Sequence, residues 1–199
     1  MKPLKILPET GTPRIAFFGP MCSGKTYAAE HLYKRDGRKL FSFATPIKRT
    51  ASTLYRVTGK TNEDRKVLQS LGDLLKTLDR DVFTKYLLHD INLYYEEFYE
   101  DEIPKPILVD DLRFPYEADF LKENGFILVY VATPEEVRFK RIQEKYPDTQ
   151  PERFDHVSEQ EWKNIAQDYI IYGDEDIEKE AVMLREFIED IWTLQPTQR

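Results

Sequence analysis

The chain holds a single cysteine, Cys22, so no intramolecular disulfide can staple it, which fits a reducing compartment. Its three histidines, His31, His89 and His156, are scattered and make no zinc-binding spacing with that cysteine. No G-x-S-x-G elbow is present, so nothing signals a Ser-His-Asp hydrolase of that kind. No apolar stretch approaches the roughly 18 residues of a membrane span, so no membrane partner is expected. The first eight residues, with Pro3 and Pro8, lack a sustained apolar segment and do not read as a signal peptide. Positive charge is not in excess either. Lys and Arg number 29 against 36 Asp and Glu, a net charge of −7, so no nucleic-acid polymer is expected as a partner. The expected location is the cytoplasm.

What is present is enough for a folded domain with a proper core. The length of 199 residues suits one domain with a small insertion, and a hydrophobic content of 41% excludes disorder throughout. Residues 19–26 read Gly-Pro-Met-Cys-Ser-Gly-Lys-Thr, the G-x-x-x-x-G-K-[ST] phosphate-binding loop. Arg14 to Phe18 before it is a short apolar run that reads as a buried strand, and Thr26 to Tyr33 reads as a helix. In that setting Gly19 and Gly24 allow a sharp turn that brings backbone N–H groups to a phosphate. The helix N-terminus adds partial positive charge beneath it. Lys25 can reach the β- and γ-phosphates of a bound nucleotide, and the Thr26 hydroxyl can face Mg²⁺. Gly19, Met21, Cys22, Ser23, Gly24, Lys25, Thr26 and Tyr27 are therefore the candidates to bind ATP. Cys22 is read as a small loop residue rather than a nucleophile.

Short apolar strands alternate with helical patterns along the rest of the chain. Strands are expected at Lys39–Phe43, Ile107–Val109, Phe126–Val131 and Asp168–Tyr172. Helices are expected from Pro46, from a Thr61 cap through Leu78, over Asp81–Tyr99, over Pro115–Asn124, from a Thr133 cap with Pro134 in the first turn, and at the C-terminus. The aromatics of Asp81–Tyr99 are read as core. This alternation predicts an α/β fold: a three-layer α/β/α P-loop architecture around a mainly parallel five-stranded sheet. Residues 1–13, with Pro3, Pro8 and Pro13, read as an N-terminal arm. Residues 14–199 read as one domain, in which the polar, proline-containing stretch near 143–154 reads as a loop or a short lid.

Several residues outside the loop can carry chemistry. Asp110 and Asp111 end a buried strand, where a carboxylate can support a metal or cap the following turn. Arg138 and Arg141, three apart on one helix, can clamp phosphates, or form a solvated face with Glu135, Glu136 and Glu144. Lys140, Lys145 and Arg153 lie near them. Lys48 and Arg65 can hold the phosphate of an acceptor.

Taken in order, these stations resemble the phage-type deoxynucleoside monophosphate kinases, a branch of the P-loop nucleoside monophosphate kinases. The resemblance covers about residues 14 to 190. Phe43-Ala44-Thr45-Pro46-Ile47-Lys48 resembles F-A-x-P-[IL]-K, and Arg65-Lys66-Val67-Leu68-Gln69-Ser70-Leu71-Gly72 resembles R-x-x-L-Q-x-L-G. Asp79 to Phe83 resembles D-x-D-x-[FW], and Asp111-Leu112-Arg113-Phe114-Pro115-Tyr116-Glu117 resembles D-[VL]-R-F-P-x-E. His156-Val157-Ser158-Glu159 resembles a late H-x-S-E. The tail strand departs from the pattern: it ends Tyr172-Gly173-Asp174, where relatives often carry Asn before the acid and glycine.

The resemblance implies ATP- and Mg²⁺-dependent phosphorylation of a (deoxy)nucleoside monophosphate to its diphosphate. Lys25, Asp111, Arg138 and Arg141 would be catalytic, and Thr26 and Asp111 would hold the metal. Lys48, Arg65, Gln69 and Arg113 would face the acceptor. It is compatible with a homodimer and with a phage-encoded chain working in the host cytoplasm. Phosphorylation of another phosphorylated acceptor, of the phosphomevalonate or dephospho-CoA type, stays open at this point. So do a nucleotide-hydrolysing switch ATPase and a non-catalytic nucleotide-binding module.

Overall fold

Five parallel strands form one sheet in the order β2-β3-β1-β4-β5. They are β1 (Arg14–Phe18), β2 (Lys39–Phe41), β3 (Ile107–Leu112), β4 (Ile127–Ala132) and β5 (Tyr169–Tyr172). Among the described residues seven α-helices accompany them: α1 (Lys25–Leu32), α2 (Thr45–Tyr55), α3 (Asn62–Leu78), α4 (Val82–Glu96), α5 (Pro115–Glu123), α6 (Glu135–Lys145) and α7 (Ile177–Leu194). The computed structural model describes residues 12–33, 37–57, 61–97, 105–147, 160–174 and 176–194. Residues 1–11 of the arm, residues 148–154 of the expected lid with its Arg153, and the His156–Glu159 motif lie outside them.

Alternation along each strand divides the core into two halves. Ala16 and Phe18 of β1 join Val109 and Leu128 beneath α4 and α5, where Phe83, Leu87, Ile91 and Leu121 are buried. Ile15 and Phe17 point the other way and join Val129 and Val131 beneath α1 and α7, against Ala28, Leu32, Leu184 and Ile188. The three-layer α/β/α arrangement follows, and the sheet is wholly parallel. The aromatics Phe83, Tyr94 and Tyr95 of α4 are buried, as expected of core residues.

Local signals set most boundaries. The Thr61 hydroxyl accepts from Asp64 N at 3.1 Å and Asp64 Oδ2 accepts from Thr61 N at 3.4 Å, a reciprocal cap that starts α3. Gly125, at φ 73°, closes the end of α5 in a left-handed turn. Thr133 is not the cap expected of it. Helix α6 begins after Pro134, and the Thr133 hydroxyl instead donates to the Ser23 carbonyl at 2.8 Å, tying the β4 exit to the phosphate loop.

Strand β3 also differs from expectation, because it continues through both acids to Leu112. Its pairing with β1 is irregular there. Ala16 pairs with Val109 and Phe18 with Leu112, so Asp110 and Asp111 together oppose Phe17. The bulge puts Leu112 on the same side as Val109. Asp110 and Asp111, as consecutive residues of a strand, turn to opposite faces at the carboxyl end of the sheet.

Candidate active site

The carboxyl ends of β1, β2, β3 and β5 open onto a cleft of about 1790 Å³. This is where an open parallel sheet places its ligands. Its floor is the loop between β1 and α1. Gly19 and Gly24 take φ of 139° and 101°, and Cys22 takes 59°, all in the left-handed region. A Cβ at Gly19 would lie 2.9 Å from the Val131 carbonyl oxygen, so only glycine lets the loop pass that close to β4. Lys25 Nζ donates to the carbonyls of Gly19 at 2.9 Å and Pro20 at 2.7 Å, folded over its own loop.

The loop is braced from two further strands. Besides the Thr133 bond, Arg141 of α6 donates to the Gly173 carbonyl at 2.8 Å and reaches the Cys22 carbonyl at 3.4 Å. A Cβ on Gly173 would overlap the Ser23 carbonyl oxygen and the Thr133 hydroxyl. Gly173 is therefore fixed by close approach, not by backbone angle. The Ser23 side chain is fully buried. Burial pushes the Cys22 thiol above its usual pKa, against the pull of Lys145, Lys25, Arg65 and Arg141. That keeps it a neutral thiol, as its reading as a loop residue requires, and shows four cations gathered over the loop.

The two β3 acids divide their work. Thr26 Oγ1 donates to Asp110 Oδ2 at 2.7 Å. Asp111 accepts from Ser42 Oγ at 2.6 Å, Phe43 N at 2.9 Å and Ala44 N at 2.9 Å. Thr26 is thus paired with Asp110 and not with Asp111, the acid expected beside it. Strand alternation turns Asp110 toward α1 and Asp111 toward the turn that begins α2, where its oxygens accept from three donors. Burial and the neighbouring Asp111 raise the Asp110 pKa, while its bond from Thr26 and the charges of Lys48 and Lys25 oppose the rise.

Arg138 and Arg141 also part company. Arg141 lines the cleft beside the loop. Arg138 lies outside the lining, its charge reaching the Tyr130 hydroxyl, and among the described residues its Nε has no hydrogen-bond partner. A spacing of three puts both on one side of α6, but that side is wide enough to serve two neighbours. The expectation that both clamp phosphates is met in position by Arg141 only.

Met21, Cys22, Gly24, Lys25, Thr26 and Tyr27 line the cleft from the loop and the start of α1. Lys48, Arg65, Gln69 and Arg113 line it from α2, α3 and the end of β3. Arg65 reaches furthest toward the loop: Nη1 is 3.6 Å from Met21 Sδ, and its guanidinium sits 3.7 Å from the centre of the Tyr146 ring. Glu117 closes the Arg113 side, buried to 3% exposure, with Oε2 accepting from Arg113 N and Phe114 N at 3.1 Å each. Burial pushes its pKa up to about 8, although those two N–H bonds act to lower it. Sequence reasoning missed Gly173, Thr133, Asp73 and Lys76 at this site. The last two carried a signal in their helical spacing from Arg65 and Gln69, which the leucines of α3 obscured.

A strand, a glycine loop with its lysine, a paired hydroxyl and carboxylate, and a facing cationic wall define a P-loop phosphotransferase fold and site. A family profile described as AAA domain matches residues 15–170. A protein of Acanthamoeba polyphaga mimivirus, provisionally named as a deoxynucleotide monophosphate kinase, is 31% identical over 146 residues, which are 60% of this chain and 74% of that protein. An uncharacterised protein, ORF76 of Ictalurid herpesvirus 1, is 29% identical over 140 residues, 66% of this chain and 56% of its own length. The chain belongs to the AAA domain family, on its P-loop nucleoside monophosphate kinase-like branch of phosphotransferases. Solved kinases share the fold at low identity. They include APS kinase from Mycobacterium tuberculosis (TM-score 0.55, 15% identity, 89% of this chain and 98% of that one). Shikimate kinase from Acinetobacter baumannii is another (TM-score 0.52, 19% identity, 92% and 96%).

Proposed function

We propose that this protein transfers the γ-phosphoryl group of ATP to a (deoxy)nucleoside monophosphate, giving ADP and the nucleoside diphosphate. The observation that carries this reading is the gathering of two sets of cations in one cleft. Lys25 and Arg141 bond carbonyls of the loop, and Lys48, Arg65 and Arg113 line the same cleft from α2, α3 and the end of β3. A switch ATPase needs the first set only. An acceptor that already bears a phosphate needs the second as well.

In the reaction an oxygen of the acceptor phosphate attacks the γ-phosphorus in line, and the bond to the ADP oxygen breaks. Charge spreads over the transferring oxygens, so the protein contributes mainly position and positive charge. Lys25 and the loop N–H groups hold the β- and γ-phosphates. Arg65, within reach of Met21, meets the acceptor phosphate. Lys48 sits on the helix whose start Asp111 fixes through residues 42–44. Arg141, anchored on two loop carbonyls, can turn toward the phosphates as they arrive.

The residues also fit Mg²⁺. Thr26 and Asp110 offer two oxygen donors side by side next to the phosphate cradle, and this ion takes few protein ligands beside phosphates and water. When bound it would neutralise charge on the β- and γ-phosphate oxygens. Residues 143–154 are proposed as a lid that excludes water, since a kinase must transfer rather than hydrolyse. Glu144, Lys145 and Tyr146 already line the cleft. The work of the enzyme would be to supply deoxynucleoside diphosphates in the cytoplasm. Acceptor-dependent ADP release, measured across nucleoside monophosphates, shikimate and dephospho-CoA, tests the reading. It expects release only with the monophosphates, and equal release without any acceptor would sink it.

A further inference from the structure

Arg65 is a half-buried cation, and among the described residues no carboxylate pairs with it. Its side chain makes one hydrogen bond there, from Nη1 to Met21 Sδ at 3.6 Å, and a thioether is a weak acceptor. What holds it is a ring. The central carbon of the guanidinium lies 3.7 Å from the centre of the Tyr146 ring. That close, it must sit over the ring face, because an approach in the ring plane would overlap ring atoms. An N–H pointing straight down at the ring would overlap it too, so the guanidinium lies across the face.

This choice of partner has a chemical consequence. A carboxylate would neutralise Arg65 and occupy the N–H groups that a phosphate needs. A ring attracts the cation through its quadrupole and takes none of those donors. The N–H groups of a stacked guanidinium point outward in its own plane, where a phosphate can accept two of them at once. Arg65 also stands among like charges, since Lys145, Lys25 and Arg141 gather with it over Cys22. Without the ring, that repulsion favours its turning out to water.

Tyr146 is itself firmly supported. It follows α6 directly, and its N–H bonds the Ile142 carbonyl at 2.7 Å. Ile142 is buried in the core, and its neighbour Arg141 bonds the carbonyls of Gly173 and Cys22. The ring is thus presented from a helix end tied to both the core and the phosphate loop. At φ −141° and ψ 68° the backbone of Tyr146 has left the helix, and its ring lines the cleft.

We propose that Tyr146 is a positioning residue for the acceptor: its ring holds Arg65 at the phosphate loop, charged and with its donors open to the acceptor phosphate. The inference rests on the proposed function, in which Arg65 meets that phosphate.

The test is steady-state kinetics with the nucleoside monophosphate that wild type uses best. The proteins are Tyr146→Leu, Tyr146→Phe, Arg65→Ala and the double variant of Tyr146→Leu with Arg65→Ala. Tyr146→Leu keeps apolar bulk and removes the ring. It should raise KM for the acceptor about tenfold, the scale of a partly desolvated cation–ring contact. Its KM for ATP should stay within about twofold of wild type, which also shows that the variant is folded. Tyr146→Phe keeps the ring and should recover most of the loss. In the Arg65→Ala background Tyr146→Leu should lower kcat/KM for the acceptor by less than about twofold, because the ring then has no cation to hold. Four results would each overturn the inference while leaving the proposed function standing. They are an unchanged acceptor KM in Tyr146→Leu, equal losses in Tyr146→Leu and Tyr146→Phe, an equal rise in both KM values, and losses that multiply in the double variant. Transfer by wild type to no nucleoside monophosphate would overturn the proposed function, and this inference with it.

Discussion

Glu117 is a carboxylic acid that the fold keeps protonated at neutral pH, and this has a measurable cost. In the unfolded chain its pKa is near the ordinary 4.5, whereas in the native state burial raises it to about 8. Between those values unfolding exposes Glu117 and releases its proton. The native state then binds one more proton than the unfolded state, so stability falls as pH rises. The slope is that of one proton, about 1.4 kcal/mol per pH unit, so roughly 2–3 kcal/mol is lost between pH 5.5 and 7.5. Glu117→Gln keeps an oxygen for the N–H groups of Arg113 and Phe114 but carries no titrating proton. Urea unfolding of both proteins at half-unit steps over this range isolates the term, because other titrating groups are common to both. The stability of the variant minus that of wild type should rise by about 1.4 kcal/mol per pH unit. A difference that does not change with pH would mean that the two N–H bonds hold Glu117 ionised in the native state, and would refute the reasoning.

Other consequences can be checked in the same way. Lys25→Ala should lower kcat by about a hundredfold or more, the scale seen when a charge-stabilising donor is lost, with little change in thermal midpoint. Asp110→Asn should lower kcat and raise the Mg²⁺ requirement. Asp111→Asn should instead raise KM for the acceptor and lower stability by roughly 1.5–3 kcal/mol, since it weakens three bonds to Ser42, Phe43 and Ala44. Steady-state kinetics of the two variants at varied Mg²⁺ would reverse the assignment if their effects were exchanged. Gly173→Ala forces a methyl group into the Ser23 carbonyl and should cost about 1–3 kcal/mol, with a drop in thermal midpoint of several degrees and weaker ATP binding. An unchanged midpoint in a thermal melt would show that the β5 exit does not brace the loop.

Much of the fold was legible in the residues, because its signals are local. The glycine loop, the Thr61 cap, the Gly125 stop and the apolar strand runs each act within a few positions. The wholly parallel sheet followed from strands alternating with helices. The divided surroundings of Asp110 and Asp111 were half legible. Alternation along a strand puts them on opposite faces, but which neighbour each face meets depends on where α1 and the turn before α2 pack, distant in sequence from β3. Motif register alone named Asp111. The same limit applies to Arg138 and Arg141, whose spacing places them together while the neighbours of α6 separate them. Thr133 has the chemistry of a cap, yet the Ser23 carbonyl competes for its hydroxyl once the chain is folded. Asp73 and Lys76 sit within a leucine-rich helix, and only the position of the cleft shows that their stripe differs from the leucine stripe. Leu74 and Leu78 of that stripe are exposed at 58% and 77%.

The central claim is direct transfer between two nucleotides held in one cleft. It is tested by giving the protein γ-labelled ATP, Mg²⁺ and one unlabelled nucleoside monophosphate at a time, and locating the label in the separated products. The account predicts label in the β-phosphate of the nucleoside diphosphate, formed in step with ADP and lost in Lys25→Ala. Label appearing only as inorganic phosphate, at the same rate with and without the monophosphate, would contradict it.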